Sequence, residues 1–372
     1  MKIKVEKDLL QRKLANVQSI VEKAGSDFRQ ILNHFLLNAE THKSFIMATD
    51  LETAYREPVE LEIEKEGTIC IPCKKFFEII REMEGPLSLE TIEDKWLKIT
   101  CQRSNIRLAC LPAENFPKWP DLHGEIEIYL TVSLLDQIIE RSLYAAKEAE
   151  IRFFLNGLLF KIMPDNTLIV VGTDTHRLAL VSSPLEIKDK AMLKEPKDIL
   201  ISKKAIAEIK KILSDTSDMV NITIGKNHVL FKVNEVDLLT RQVEGTFPDY
   251  TRAIPESFEK NLIVDRNAFI KTLRKVSVIS KERGYIVKFD ISKNLLTLTA
   301  TDPDYGEAVD EIETDYNAEP FSIAFNARYL LEAANAMATE RVVMRFLDAQ
   351  KPVMMQPEGL DDYKCVIMPL RS

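Results

Sequence analysis

The chain has 372 residues, more than one ordinary hydrophobic core accommodates, so its length predicts two or three domains. Hydrophobic residues make up 45% and charged residues 29%, and no apolar run reaches the roughly 18 residues of a membrane-spanning helix, which argues against a membrane protein. The formal net charge of -8 argues against a uniformly basic nucleic-acid-binding surface, and five cysteines, an odd number, argue against a disulfide framework.

The chain begins with MKIKVEKDLLQRKL, in which charged residues occur throughout and no apolar segment resembles a secretory signal. The expected location is therefore the cytoplasm, where the thiols would stay reduced. With only 11 glycines, the chain has neither a GxGxxG segment nor a Walker-type loop, so the sequence predicts no nucleotide-phosphate site.

Three related segments follow one another along the chain at intervals of about one third of its length. The first sign is an apolar strand that ends in Thr-Asp, at residues 45–50, 170–174 and 298–302. The aspartates that end these strands lie 124 and 128 residues apart. Such regular spacing indicates an internal repeat.

The second sign is an extended apolar run that leads into a helix. It occurs as TICIPCKKFFEIIREM, DILISKKAIAEIKKIL and FSIAFNARYLLEAANAM, which begin at residues 68, 198 and 321. Apolar residues recur in each copy at helical spacing and predict one buried stripe. The stripe residues are Phe76, Ile79, Met83, Ile206, Ile209, Leu213, Leu330, Ala333 and Met337.

The third sign is an earlier strand that turns into an amphipathic helix in each copy. Its matching apolar residues are Val5, Leu10, Leu14, Leu130, Leu135, Ile139, Val264, Phe269 and Leu273. Each repeat is therefore predicted as strand, helix, Thr-Asp hairpin, strand, helix and further hairpins, which is an α+β fold. Proline-bearing polar joints place the domain boundaries at 1–123, 124–254 and 255–372.

Positive charge is concentrated in four predicted helices, at 7–23, 74–82, 203–211 and 266–283. They contain 17 Lys or Arg and 6 Asp or Glu, a net +11, so the rest of the chain carries -19. If these helices lie side by side, the cations form a surface suited to a polyanion, whereas the alternative is ordinary solvation of each helix. The cations are Lys7, Arg12, Lys13, Lys74, Lys75, Arg81, Lys203, Lys204, Lys210, Lys211, Arg266, Lys271, Arg274, Lys275 and Lys281.

Two cysteine arrangements suggest chemistry. Cys70 and Cys73 enclose Pro72 at a strand-to-helix junction, as in thioredoxin-type sites, where a helix N-terminus lowers a thiol pKa. The equivalent junctions of the other repeats carry Ser and Asn, which favours a structural position. Adding Cys101 and Cys110 gives an irregular spacing that is atypical of zinc sites.

Single aspartates at the hairpins are the other candidates for chemistry. Asp50, Asp174, Asp302 and Asp304 could hold a metal, but each stands alone where Asp commonly closes a turn through its own side chain. His176 lies beside Asp174 without a recognisable Ser or Cys nucleophile. The sequence therefore predicts no catalytic residue, no metal site and no cofactor.

Several motifs together carry a family resemblance: the whole chain resembles the bacterial DNA sliding clamps, the beta subunits of replicative polymerases. The resemblance covers all three repeats. Its most specific segments are Arg152-Phe153-Phe154-Leu155-Asn156-Gly157, Thr173-Asp174-Thr175-His176-Arg177-Leu178-Ala179, Gly245-Thr246-Phe247-Pro248-Asp249-Tyr250, Phe325-Asn326-Ala327-Arg328-Tyr329 and Val366-Ile367-Met368-Pro369-Leu370-Arg371.

The resemblance implies a fold and a function. Each repeat would consist of two helices on antiparallel sheets, and two protomers would close head to tail into a ring around double-stranded DNA. A positive inner wall would attract phosphates without reading bases, so that the ring slides. The implied partners are a clamp loader, the replicative polymerase and other proteins that carry a clamp-binding peptide. No catalytic activity is implied.

The resemblance also assigns residues to surfaces. The peptide pocket between the second and third repeats would comprise Leu155, Thr173, His176, Arg177, Leu178, Pro248, Arg252, Asn326, Tyr329, Val366, Met368 and Leu370. The DNA-facing set would comprise the helical cations above except Lys281, together with Arg152, Phe153 and Phe154. Ring closure would join Arg103, Ile106 and Leu108 to Val278 and Ile279.

Three motifs depart from the family pattern. Thr175 stands where Gly is common, and a β-branched residue disfavours left-handed backbone, so a local change of the pocket rim is expected. Phe153 and Phe154 replace paired tyrosines and lose hydroxyl contacts to DNA. Asp27, in the loop 26–30, weakens the expected contact of that loop with DNA.

Two other functions remain open at this stage. The first is a thiol oxidoreductase that uses Cys70 and Cys73. The second is a repeat scaffold that binds proteins but not DNA, in which the lysines would only solvate the helices.

Overall fold

The computed structural model describes residues 1–21, 27–93, 95–122, 124–146, 155–187, 193–213 and 219–370. This part of the chain contains six α-helices and three sheets, and its strand pairs are antiparallel. The helices are α1 (Lys7–Val17), α2 (Cys73–Arg81), α3 (Val132–Ser142), α4 (Lys203–Ile212), α5 (Arg266–Ser277) and α6 (Ala327–Asn335). None of the described helices is long and apolar enough to cross a membrane.

The chain divides into two compact units. The first comprises Met1–Leu135, Glu186–Ala191 and Lys204–Gln242, and the second comprises Asp136–Leu185, Met192–Lys203 and Val243–Ser372.

The first unit contains two sheets. The smaller has the order β5 (Glu62–Lys65), β1 (Lys2–Val5), β7 (Leu87–Ile92), β8 (Trp96–Cys101) and β9 (Ser104–Ala109). The larger has the order β10 (Leu111–Pro112), β6 (Gly67–Pro72), β2 (His34–Ala39), β3 (Phe45–Thr49), β4 (Thr53–Pro58), β19 (Val236–Arg241), β18 (His228–Val233), β17 (Met219–Gly225), β11 (Gly124–Thr131) and β15 (Glu186–Ile187).

The second unit is built on one twelve-stranded sheet. Its order is β16 (Lys197–Ser202), β12 (Gly157–Ile162), β13 (Thr167–Thr173), β14 (Arg177–Pro184), β27 (Tyr363–Ile367), β26 (Val353–Pro357), β25 (Arg341–Phe346), β20 (Lys260–Asp265), β23 (Gly306–Asp315), β22 (Leu295–Asp302), β21 (Ile286–Ser292) and β24 (Phe321–Asn326).

The predicted repeat is confirmed by the helices that follow matching strands. Strands β1, β11 and β20 lead into α1, α3 and α5, and strands β6, β16 and β24 lead into α2, α4 and α6. All nine apolar residues of the earlier stripe are buried, and so are eight of the nine in the later stripe. Ile79 is half-buried, and its neighbour Ile80 is fully buried instead. The apolar stripes therefore fix how each helix faces its sheet.

Two helices end earlier than predicted. Helix α1 stops at Val17, before the predicted limit at residue 23. Helix α5 stops at Ser277, and Lys281–Arg283 form a short 3-10 turn that ends at Gly284 with φ of 77°. Gly284 ends this 3-10 turn, because the backbone of a left-handed glycine reverses direction without a side-chain clash.

Strands from different predicted repeats pair directly. In the first unit β4 pairs with β19, with Ala54 opposite Leu239. In the second unit β14 pairs with β27, with Leu178 opposite Val366. These two junctions are continuous hydrogen-bonded sheets, and each lies beneath a cavity described below.

Candidate binding sites

The Thr-Asp hairpins of the first two repeats form the same turn with the same five hydrogen bonds. In the second copy, the Thr173 hydroxyl donates to the Arg177 carbonyl at 2.7 Å and accepts from the Thr175 N–H at 3.2 Å. Asp174 Oδ1 accepts from the N–H groups of His176 and Arg177, both at 2.9 Å. The Asp174 N–H donates to the Arg177 carbonyl at 3.3 Å.

Thr49, Asp50 and Thr53 repeat this pattern in the first copy. Both aspartates therefore close turns through their own side chains, which is the structural alternative to the metal-binding role considered from the sequence. Asp302 follows in part, since its Oδ1 accepts from Asp304 and Tyr305 N–H groups at 2.8 and 3.2 Å. The described residues include no group of three or more potential metal ligands.

Thr175 adopts the left-handed backbone that its β-branched side chain disfavours. Its φ is 76°, and Leu51, at the same place in the first copy, has φ of 75°. The β-branched side chain therefore does not exclude the left-handed conformation here, and a local difference of the pocket rim from the family pattern stays a prediction. In the first two repeats the surrounding hydrogen bonds fix the turn, so the residue after Thr-Asp is held left-handed whether it is Leu51 or Thr175.

A cavity of about 160 Å³ opens beside this turn in the second unit. Its lining is formed by Thr173, Thr175, His176, Arg177, Leu178, Pro248, Asp249, Tyr250, Ala253, Val366 and Met368. Seven of these residues belong to the predicted peptide pocket. The other four are Thr175 in the Thr-Asp turn, Asp249 at the N-cap of the 3-10 turn Tyr250–Ala253, and Tyr250 and Ala253 within that turn. For Thr175, Asp249 and Tyr250, their position next to His176 and Pro248 in the sequence was the signal that could have found them.

The floor of this cavity is apolar and its rim is mixed. Leu159, Val171, Leu178 and Val366 form a buried cluster against which Phe247, Tyr250 and Ile254 pack. Met368 is 43% exposed at the rim, and its N–H donates to the His176 carbonyl at 2.9 Å. An apolar floor with a few polar groups at the edge suits the side chains of a short peptide.

Arg177 forms a wall of the cavity and is held on every side. Its Nε donates to Asp174 Oδ2 at 3.1 Å, its Nη2 donates to the Tyr144 carbonyl at 2.6 Å, and its Nη1 pairs with Glu332. Its guanidinium carbon lies 4.4 Å from the centre of the Tyr329 ring. Only 10% of its side chain is exposed, so Arg177 positions the wall and is not a free cation.

The other predicted pocket residues lie outside the lining. Leu155 is fully buried, and Tyr329 stacks with Arg177. Arg252 is exposed, and its Nε pairs with Asp249 Oδ2 at 3.0 Å.

The remaining two, Asn326 and Leu370, have local roles. The Asn326 side chain caps α6 by accepting from the Arg328 N–H at 2.9 Å. The Leu370 N–H donates to the Ala324 carbonyl at 2.8 Å, and its side chain is exposed.

The predicted DNA-facing cations differ in exposure. Nine are exposed, five are half-buried, and three predicted residues lie outside the described part of the chain. The exposed residues are Arg12, Lys74, Lys75, Arg81, Lys204, Lys211, Lys271, Arg274 and Lys275. The half-buried residues are Lys7, Lys13, Lys203, Lys210 and Arg266. The three outside are Arg152, Phe153 and Phe154.

Several of these cations already have acidic partners. Lys13 Nζ contacts Glu57 Oε1 at 2.5 Å, and Lys204 and Lys275 pair with Asp50 and Asp310. The charge that remains available to a polyanion is therefore smaller than the sequence count.

The residues predicted for ring closure lie at sheet edges and near a helix end. Strand β9, which carries Ile106 and Leu108, ends the order of its sheet, and Arg103 is exposed in the preceding turn. Val278, directly after α5, is 68% exposed, and Ile279 is half-buried.

The thiols are buried and resist ionisation. All five cysteines are buried and free. Burial raises the pKa of Cys70, Cys73 and Cys110 to about 12. A redox cysteine needs a lowered pKa and access to substrate, so the structure gives no support to the oxidoreductase hypothesis.

Three family models together match nearly the whole chain. They are the N-terminal, central and C-terminal domains of the DNA polymerase III beta subunit, at residues 1–120, 129–249 and 251–371. The beta sliding clamp of Pseudomonas putida is 30% identical over 375 residues, and that of Caulobacter vibrioides is 31% identical over 377 residues. Both alignments cover 100% of each chain.

Solved structures agree over the same length. The polymerase sliding clamp of Caulobacter crescentus has a TM-score of 0.91 and 32% identity, with 100% of both chains covered. A sliding clamp from Bartonella birtlesii bound to griselimycin has a TM-score of 0.92 and 31% identity, again with 100% of both chains covered.

Proposed function

Since this chain belongs to the DNA polymerase III beta subunit family, the DNA sliding clamps, we propose that it is a processivity factor. It encircles duplex DNA as a ring-shaped, head-to-tail homodimer and tethers the replicative polymerase and other proteins. The observation that carries this function is the match of three clamp domains over nearly the whole chain. The protein is a non-catalytic subunit, and a clamp loader places it on DNA. The proposed location is the cytoplasm.

The proposed contact with DNA is electrostatic and independent of sequence. Exposed lysines and arginines of the helices face the phosphates, and the proposed set is the one predicted from the sequence. Phosphate contacts position a protein on DNA without reading bases, so the ring can move along the duplex. Retention then comes from ring closure, and a tethered polymerase meets the primer end again at high effective concentration.

The proposed docking site for partner peptides is the cavity of about 160 Å³ beside the Thr173–Arg177 turn. Its support is the apolar floor formed at the β14–β27 junction and the exposed Met368 at its rim. The predicted residues outside the lining support it indirectly. Tyr329 holds Arg177, and Arg252 holds Asp249.

The proposed domains are 1–123, 124–254 and 255–372, and the match limits of the three family models support these boundaries. The proposed ring closure uses the edge strand β9, with Arg103, Ile106 and Leu108, against the region of Val278 and Ile279. Strand β23 supports this proposal because it pairs with β20 only at Thr314 and Asp315. The rest of that β23 edge is unpaired in the described residues, and Val309 on β23 is 56% exposed.

The test of the docking site is fluorescence anisotropy with a labelled peptide of the Gln-Leu-x-Leu-Phe type. We expect saturable binding to the full-length protein, weakened by about 1 to 3 kcal/mol in Met368→Ala, because the variant removes apolar contact at the rim. Leu360→Ala is the matched control, since Leu360 is also an exposed apolar residue but does not line the cavity. Failure to bind, or equal loss in both variants, would overturn the site.

A further inference from the structure

A second cavity, of about 60 Å³, lies in the first unit beside the Thr49–Thr53 turn. The lining residues that bear on its function are Leu51, Glu52, Ala54, Lys118, Trp119 and Leu239. None of these residues belongs to a surface that the sequence resemblance assigns. The cavity is smaller than the docking cavity and is lined mainly by apolar side chains.

The second cavity has the same framework as the docking cavity. Each begins with a Thr-Asp turn fixed by the same five hydrogen bonds. Each lies over a junction strand pair, Ala54 opposite Leu239 here and Leu178 opposite Val366 there.

The buried clusters below the two cavities also correspond. Leu36, Met47 and Phe116 in the first unit take the places of Leu159, Val171 and Phe247 in the second. Partly buried Trp119 packs against the first cluster as Tyr250 packs against the other. The repeat has therefore produced two clefts on one plan.

The rims of the two clefts differ in charge at two corresponding positions, and at one of them the charges are opposite. Glu52 follows the left-handed residue of its turn, where the docking cavity has His176. Lys118 follows Pro117, where the docking cavity has Asp249 after Pro248. A ligand that suits one rim is therefore mismatched at the other.

The positive charge of Lys118 is available to a ligand. Lys118 is exposed and has no ion pair among the residues that the structure describes. The backbone of Glu52 is fixed, because its carbonyl accepts from the Arg241 N–H at 2.8 Å. The indole of Trp119 is held by the Arg56 guanidinium, which lies 4.4 Å from the ring and pairs with Asp237 at 2.5 Å.

We propose that the cleft at Trp119 and Lys118 is a second docking site, which takes a short linear peptide segment of a partner protein. The segment presents one or two apolar side chains to Leu51, Trp119 and Leu239 and an adjacent carboxylate to Lys118. The small volume restricts the site to fewer buried side chains than the docking cavity takes. The site acts in addition to the proposed clamp function, because a partner that holds it leaves the other cavity open.

The test is fluorine NMR on the full-length protein labelled with 5-fluorotryptophan. The chain has two tryptophans, so Trp119 reports on the cleft and Trp96 is an internal reference. Trp119→Phe assigns the signals. The probes are acetyl-Asp-Leu-Phe-amide and its matched partner acetyl-Lys-Leu-Phe-amide.

We expect the Asp peptide to shift the Trp119 signal saturably and to leave the Trp96 signal unchanged. Its dissociation constant should be at least about tenfold lower than that of the Lys peptide. Lys118→Glu should reverse this preference, whereas Lys232→Glu, an exposed strand lysine outside the lining, should not change it. Met368→Ala should leave the Trp119 shift intact.

Three results would overturn the second site: an unmoved Trp119 signal at millimolar peptide, equal response to both peptides, or loss of the response in Met368→Ala. The last result would mean that the peptide occupies only the docking cavity. The anisotropy assay with the Gln-Leu-x-Leu-Phe peptide reports on the docking cavity alone. The two proposals can therefore fail separately.

Discussion

At the scale of single residues, Thr175 shows how a turn overrides the preference of its own side chain. An L-residue in the left-handed region costs roughly 1 to 2 kcal/mol, and the fixed Thr-Asp turns impose that conformation on both Thr175 and Leu51. Glycine would remove the steric cost, although it loses more backbone entropy on folding.

We expect Thr175→Gly to raise the free energy of unfolding by about 0.5 to 1 kcal/mol, because the released strain exceeds the entropy cost. Leu51→Gly should behave alike and is the matched variant, since Leu51 has the same backbone angle in the first repeat. Urea unfolding followed by circular dichroism measures both. A loss of stability in Thr175→Gly would show that its side-chain contacts outweigh the strain.

The buried thiols give a pH-dependent prediction. The pKa of Cys73 is raised from 9.0 to about 12 by burial, so the folded state holds its proton more tightly than the unfolded state. Its stabilising contribution is complete below pH 9 and is lost as the pH rises from 9 toward 12. The slope is about 1.4 kcal/mol per pH unit for one thiol.

We expect urea unfolding at pH 8, 9 and 10 to show a falling free energy of unfolding at the alkaline end. The fall should be shallower in Cys73→Ala, which removes one titrating thiol and so separates its effect from that of Lys and Tyr. Native protein should react slowly with Ellman's reagent at pH 8 and release all five thiols when unfolded. Fast reaction of the native protein would revive the oxidoreductase hypothesis.

At the scale of elements, Arg177 joins strand β14 to helix α6. Its guanidinium pairs with Glu332 on the helix, 155 residues away in the sequence, and stacks on Tyr329 one turn earlier. Glu332 also pairs with Arg328 at 3.0 Å, but Arg328 is 66% exposed. The same carboxylate therefore has one buried partner and one solvated partner.

We expect Arg177→Met to lower the free energy of unfolding by about 3 kcal/mol, because it leaves two carboxylates without their buried cation. Arg328→Met should cost about 0.5 kcal/mol or less, since an exposed ion pair contributes little. Chemical denaturation of the two variants side by side provides the measurement. Similar losses would mean that burial of Arg177 has no energetic consequence.

The elements also show what the sequence could predict. Stripes such as Phe269 and Leu273 are local and periodic, so helices and their buried faces followed from the sequence. The pairing of β4 with β19 joins residues about 180 positions apart in the sequence, and no local sequence pattern predicts it. The cavity was found in part, since Pro248 and Met368 were predicted, whereas Ala253 and the ion pair of Arg177 with Glu332 depend on tertiary contacts.

At the scale of the whole molecule, an acidic protein is proposed to hold DNA through the charge of its helices. Ion pairs within the protein reduce the positive charge that is available to DNA, because Lys13, Lys204 and Lys275 already contact carboxylates. The proposed attraction is therefore moderate, which suits a ring that must move along DNA.

We expect the combined variant Lys74→Glu and Lys271→Glu to weaken association with duplex DNA and to reduce the slope of log K against log salt by roughly 0.9 per lost phosphate contact. Lys232→Glu with Lys288→Glu is the matched control, because these lysines are exposed on strands. Fluorescence anisotropy of a labelled duplex, measured at salt concentrations from about 50 to about 200 mM, gives both the affinity for DNA and its salt slope. Unchanged DNA binding with intact peptide binding would favour a protein-binding scaffold.

The junction strands have a consequence for how the chain can be divided. The middle repeat gives β11, β15 and β17–β19 to the first unit and β12–β14 and β16 to the second. A fragment cut at a repeat boundary, such as 1–123, would expose β4 as an open edge, and open edges recruit other strands. Each repeat is one continuous stretch of the sequence, yet the sheets of the two units are completed by strands from a neighbouring repeat. Fragments cut at the repeat boundaries should therefore aggregate. A soluble fragment that contains one complete unit would have to be assembled from discontinuous segments of the chain.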